Sequence, residues 1–115
     1  MENATPAEKL MAEVAFNLQA LVQHTLQNVA QPPRGSIKEV GHYRVLKKKL
    51  KSKEFDALGQ LLDELAYNVT ATLFATLDGT IESDIPDFPK VALIEQASQK
   101  PIAESLHQAF TEVWE

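Results

Sequence analysis

The sequence contains no cysteine, which excludes disulfide scaffolds, thiolate metal sites and cysteine nucleophiles. Glycine occurs only four times in 115 residues, and neither a Gly-x-Gly-x-x-Gly loop nor a phosphate-binding P-loop is present. None of Ser36, Ser52, Ser83, Ser98 and Ser105 has the Gly-x-Ser-x-Gly setting of a nucleophile elbow. No apolar run approaches the roughly 20 residues that cross a bilayer, so no membrane partner is expected. The opening MENATPAEKL has neither the basic nor the apolar stretch of a secretory signal, and the expectation is a cytoplasmic protein. His24, His42 and His107 never fall at the His-x-x-x-His spacing of a helical zinc site. Glu104-Ser-Leu-His107 supplies one Glu-x-x-His unit where a carboxylate-bridged di-iron bundle needs two. Asp78, Glu82, Asp84 and Asp87 do not match the spacing of a calcium loop. The reading is therefore of a protein without catalytic residues, metal or cofactor, and not of an enzyme.

What is present is an ordinary balance of 44% hydrophobic and 23% charged residues, in a chain long enough to bury about two-thirds of its unfolded surface. The pattern predicts a single, mainly α domain over 1–115. Its architecture is a compact bundle of about four helices, with a short extended segment or small β-ribbon between the third and fourth. Residues 1–5 read as a disordered tail. Thr5-Pro6-Ala7-Glu8 then opens a helix, with Thr5 as cap and Glu8 at the capping-box position. Leu10, Met11, Val14, Leu18, Leu21, Val22, Leu26 and Val29 form a band about 160° wide at 100° per residue. Residues 31–36 are a proline-rich connection that ends this helix. Phe16 projects from its polar side, among Asn17, Gln19, Gln23 and Gln27, and is the exposed apolar candidate for anchoring another chain.

A second helix is expected from about His42 to Lys51, with Tyr43, Leu46 and Leu50 on one face and Lys47, Lys48 and Lys51 pointing away. The longest helix runs from Lys53 to Asp78, with Ser52 as a cap and Gly79 as a left-handed stop. Its apolar set is Phe55, Leu58, Leu61, Leu62, Leu65, Ala66, Val69, Leu73 and Leu77. Tyr67, Thr70, Ala71 and Phe74 make the second half apolar on another side as well, so that half is expected to be covered by the C-terminal segments. Asp78 is a local misfit, because a helix C-terminus prefers positive charge. Residues 79–100 are irregular or short strand; Val91–Ile94 is the candidate strand, pairing with Thr80–Ile81. A last helix starts at Pro101 and presents Ile102, Leu106, Ala109, Phe110 and Val113.

Charge is unevenly placed. Eight basic residues stand against Glu39 alone between Arg34 and Lys53, a block of +7, whereas the chain as a whole carries −5. Fields of this kind steer charged molecules. The most direct reading is a small protein-binding protein that works through charged surfaces; small size and acidity suggest a bacterial immunity or antitoxin protein. Glu82, Asp84 and Asp87 then form an acidic surface for a basic protein, and Arg44, Lys47, Lys48 and Lys51 a basic one. The alternative is a nucleic-acid-associated regulator using the basic segment 34–53, disfavoured by an overall pI near 5.2. A homodimer through exposed apolar faces, including Phe16, is compatible with either.

Overall fold

The computed structural model describes residues 3–81 and 83–114. The chain is mainly helical, in the order α1 (Pro6–Ala30), α2 (Ile37–Lys49), α3 (Ser52–Asp78) and α4 (Leu106–Val113). Met1 and Glu2 of the expected tail lie outside the described residues.

Each helix end has a local cause. At the start of α1 the Glu8 N–H donates to the Thr5 hydroxyl at 3.1 Å, and that hydroxyl donates to the Glu8 carboxylate at 3.2 Å. Helix α2 begins at Ile37, five residues before the expected start at His42, because Gly41 does not interrupt it. Ser36 caps it, accepting from the Glu39 N–H at 3.3 Å, and this carries the helix through Gly41. At the far end of α3, Gly79 takes φ +75°, which an L side chain rarely adopts. The Thr80 N–H donates to the Ala75 carbonyl and the Gly79 N–H to the Thr76 carbonyl, both at 3.1 Å, the paired bonds of a Schellman motif.

Among the described residues there is no strand. The expected ribbon between Thr80–Ile81 and Val91–Ile94 is not seen, and the β-type pairing is one isolated antiparallel bridge, Ile94 with Pro101. The Ile102 N–H donates to the Leu93 carbonyl at 2.8 Å and the Glu95 N–H to the Lys100 carbonyl at 2.9 Å. Val91–Ile94 therefore turns back on the residues that follow it. A strand buried by its apolar content would need a covered face, and Val91, Leu93 and Ile94 are all exposed. The same doubling-back delays the last helix, which starts at Leu106 and not at Pro101.

The chain forms two compact units, Met1–Phe16 with Tyr67–Glu115, and Asn17–Ala66. In the first, the buried apolar residues are Met11 and Ala15 of α1, Ala71, Phe74 and Ala75 of α3, and Leu106 and Phe110 of α4. Phe110 is fully buried, its ring 5.4 Å from Phe74, 5.7 Å from Tyr67 and 5.6 Å from Trp114. Offset and tilted ring pairs at such separations are favourable beyond the area they bury. In the second unit, Val22 and Val29 are buried, and Leu26 lies against Gly59, where an added Cβ would stand 3.3 Å from Leu26 Cδ1.

The helix faces differ from their sequence pattern in one respect. On α1 the expected band is kept: Met11, Val22 and Val29 are buried, Leu10, Val14, Leu18 and Leu26 are half-buried, and of that set only Leu21 is exposed. On α3 the leucine face expected to be core is largely outside: Leu61, Leu65, Val69 and Leu73 are between 55% and 61% exposed. The half-buried residues Phe55, Gly59, Leu62 and Ala66 set a 4-3-4 spacing that would continue to Val69 and Leu73. The structure instead buries Thr70, Ala71, Phe74 and Ala75. A straight α-helix drifts about 20° per heptad against such a repeat, and the aromatic residues Phe110 and Trp114 gather on the Tyr67/Phe74 side. Of the two apolar sides of this half, the aromatic one is covered, as the sequence predicts, and the leucine one is not.

Candidate functional site

The strongest sequence feature, the basic segment, lies within the unit Asn17–Ala66. Helix α2 buries no residue, and its last turn carries Lys47, Lys48 and Lys49. Cations there are favoured by the partial negative charge of a helix C-terminus. The Arg44 guanidinium donates to the Gly35 carbonyl at 3.1 Å and so ties α2 to the connection that precedes it. Arg44, Lys47 and Lys48 line a hollow with Pro32.

Lys47 and Lys51 have a second role that the sequence reading missed. They do not simply point away from the apolar residues: both line an open groove of about 240 Å³ together with Val29, Ala30, Leu50, Ser52 and Phe55. The end of α1, the end of α2 and the start of α3 meet there, because Leu50 and Lys51 connect α2 to α3 without a longer loop. Leu50 ends α2 with extended backbone (φ −90°, ψ 127°), and its N–H donates to the Leu46 carbonyl at 2.9 Å. The groove thus sets the exposed Lys47 and Lys51 beside the buried Val29 and the half-buried Leu50 and Phe55. The available signal was the apolar residue Leu50 between two lysines at a helix stop, which marks a side chain turned toward a neighbour.

The acidic candidates lie in the other unit. Asp84 and Asp87 are exposed, and Glu82 lies outside the described residues. Asp87 has φ 54°, a left-handed conformation that aspartate tolerates better than most residues. The neighbouring open cavity, about 690 Å³, mixes Leu77, Ile81, Ile85, Phe88 and Val91 with Asp78, Ser83 and Lys90, and neither Asp84 nor Asp87 lines it. Phe16 is 67% exposed. Lys47 and Lys51 therefore share the groove and Arg44, Lys47 and Lys48 share the hollow with Pro32, whereas the acidic residues and Phe16 are separate features.

No protein-family model, curated protein or solved structure matches this chain.

The polar residues that line the groove are Lys47, Lys51 and Ser52. Such a lining offers apolar contact to aliphatic or aromatic side chains and ammonium groups to carboxylates. Lysine suits such a lining because its stem covers apolar surface while its charge stays in water.

Proposed function

We propose that this chain is a small protein-binding protein whose working surface is the lysine-lined groove, and that it takes an acidic amphipathic segment of another protein. The observation that carries this reading is that the exposed Lys47 and Lys51 share one groove with Val29, Ala30, Leu50 and Phe55. A purely phosphate-directed surface would need cations without those apolar residues. A purely hydrophobic contact would gain little from the +7 block around it. An immunity or antitoxin role is one cellular form of such binding. It would also engage the exposed Asp84 and Asp87 if the target were basic.

The test is fluorescence anisotropy with a labelled, designed helical peptide that carries leucines on one face and glutamates on the other. Binding should weaken at least tenfold between about 50 and 300 mM salt, because the lysine charges act through a screened field. The double variant Lys47→Glu/Lys51→Glu should abolish it while leaving the circular dichroism spectrum unchanged. Failure of the peptide to bind at low salt, alongside retardation of generic duplex DNA or RNA, would replace this reading with the nucleic-acid one.

A further inference from the structure

The face of α3 that carries Leu61, Leu65, Val69 and Leu73 takes no part in the reading above. These four residues follow each other at intervals of four along one uninterrupted helix, so the geometry of that helix alone sets them in a row. All four are more than half exposed. Their exposed surface is roughly 100 Å² each, about 400 Å² in all. Contiguous apolar patches beyond a few hundred Å² are uncommon on monomeric proteins and mark interaction sites.

From this row we infer a docking surface for a second copy of the same chain. Three observations favour that occupant. First, a two-fold contact sets the same patch against itself, so a patch of one charge sign repels its own copy. The basic segment and the acidic loop both fail that condition. The row meets it: its members are apolar, Asn68 and Thr72 beside it are uncharged, and Glu64 stands only at its edge. Second, the size fits. A stable interface buries about 800 Å² on each side, of which roughly 55–65% is apolar. The row supplies most of that apolar share, and the half-buried Leu58 and Leu62 lie next to it. Third, an i, i+4, i+8, i+12 row is the ridge that fits the groove of an identical helix. Two such ridges interdigitate at a crossing angle near −50°. The contact is then tightest at the middle of the row, Leu65 and Val69, and opens toward Leu61 and Leu73.

The absence of native cysteine makes this directly measurable. Light scattering coupled to size exclusion should give twice the chain mass for the wild type. Leu65→Glu should give the single-chain mass with unchanged helical circular dichroism, its dissociation constant raised at least about tenfold. Leu65→Asn serves as a milder variant should Leu65→Glu lose helicity. Under mild oxidation, Leu65→Cys and Val69→Cys should cross-link faster than Leu73→Cys, and much faster than Gln27→Cys on α1. A wild type that stays monomeric at millimolar concentration overturns the inference, as does a dimer that survives both Leu65 variants or that cross-links equally through Gln27→Cys. A monomeric wild type that still binds the acidic peptide would overturn this dimer while leaving the groove intact.

Discussion

Asp78, the last residue of α3, caps the first turn of α4. Its carboxylate accepts the Leu106 N–H at 2.9 Å and the His107 N–H at 2.8 Å, and the Ser105 hydroxyl donates to it at 3.3 Å. Ser105 accepts in turn from the Gln108 N–H at 3.0 Å. Three of the four N–H groups that a helix start leaves unpaired are thus satisfied, two of them by a residue nearly thirty positions earlier. The negative charge that is unfavourable at the end of α3 sits at the positive end of α4, where it is stabilising. The sequence shows only the first half of that relationship.

Replacement of Asp78 should therefore destabilise the protein even though α3 would gain slightly from its removal. Asp78→Ala is expected to cost about 1–3 kcal/mol, since two backbone donors in a partly buried setting lose their acceptor. Asp78→Asn should cost less, because an amide oxygen still accepts. Thermal unfolding followed by circular dichroism measures both; an unchanged midpoint for Asp78→Ala would show that the cap contributes nothing.

Phe110 is the fully buried centre of the aromatic group formed with Tyr67, Phe74 and Trp114. Phe110→Ala should cost about 3–5 kcal/mol. That is a large share of the roughly 5–15 kcal/mol that holds a domain folded. Trp114 is the single tryptophan, so its emission reports on the same cluster and should shift to the red in this variant under native conditions.

Two glycine substitutions should have opposite signs. Gly79→Ala forces a Cβ into φ +75°, with nothing within 4 Å to compensate or to clash, and is expected to destabilise by about 1 kcal/mol. Gly59→Ala sits within α3, and its only close neighbour is the end of the half-buried Leu26 side chain at 3.3 Å. That chain can yield, so the helix-propensity gain should prevail, with a net stabilisation of about 0.5 kcal/mol. Urea titration of both variants is the check.

Ser36→Ala should weaken α2 by about 1 kcal/mol through loss of its cap. Because α2 carries Lys47 and leads into Leu50, the same variant should also reduce peptide binding at the groove. Hydrogen exchange of the α2 amides, measured beside anisotropy, tests both effects together.

Much of this protein was legible from residue order alone. Thr5 with Glu8, and Gly79 after Asp78, placed one end each of the two long helices, because caps and left-handed stops act over a few residues. The clustering of Lys47, Lys48 and Lys51 was equally plain. What distance in sequence concealed was decided by packing. Two apolar sides of the second half of α3 competed for cover, and the one with aromatic neighbours was buried, leaving Val69 and Leu73 outside. Residues 93–102 folded back on themselves because backbone groups pair with whatever acceptor is near in space. The groove that Lys47 and Lys51 line arose because three helix ends converge there. Periodicity reports which residues are apolar and how they are phased around a helix. Only the assembled chain determines which of those faces finds a neighbour.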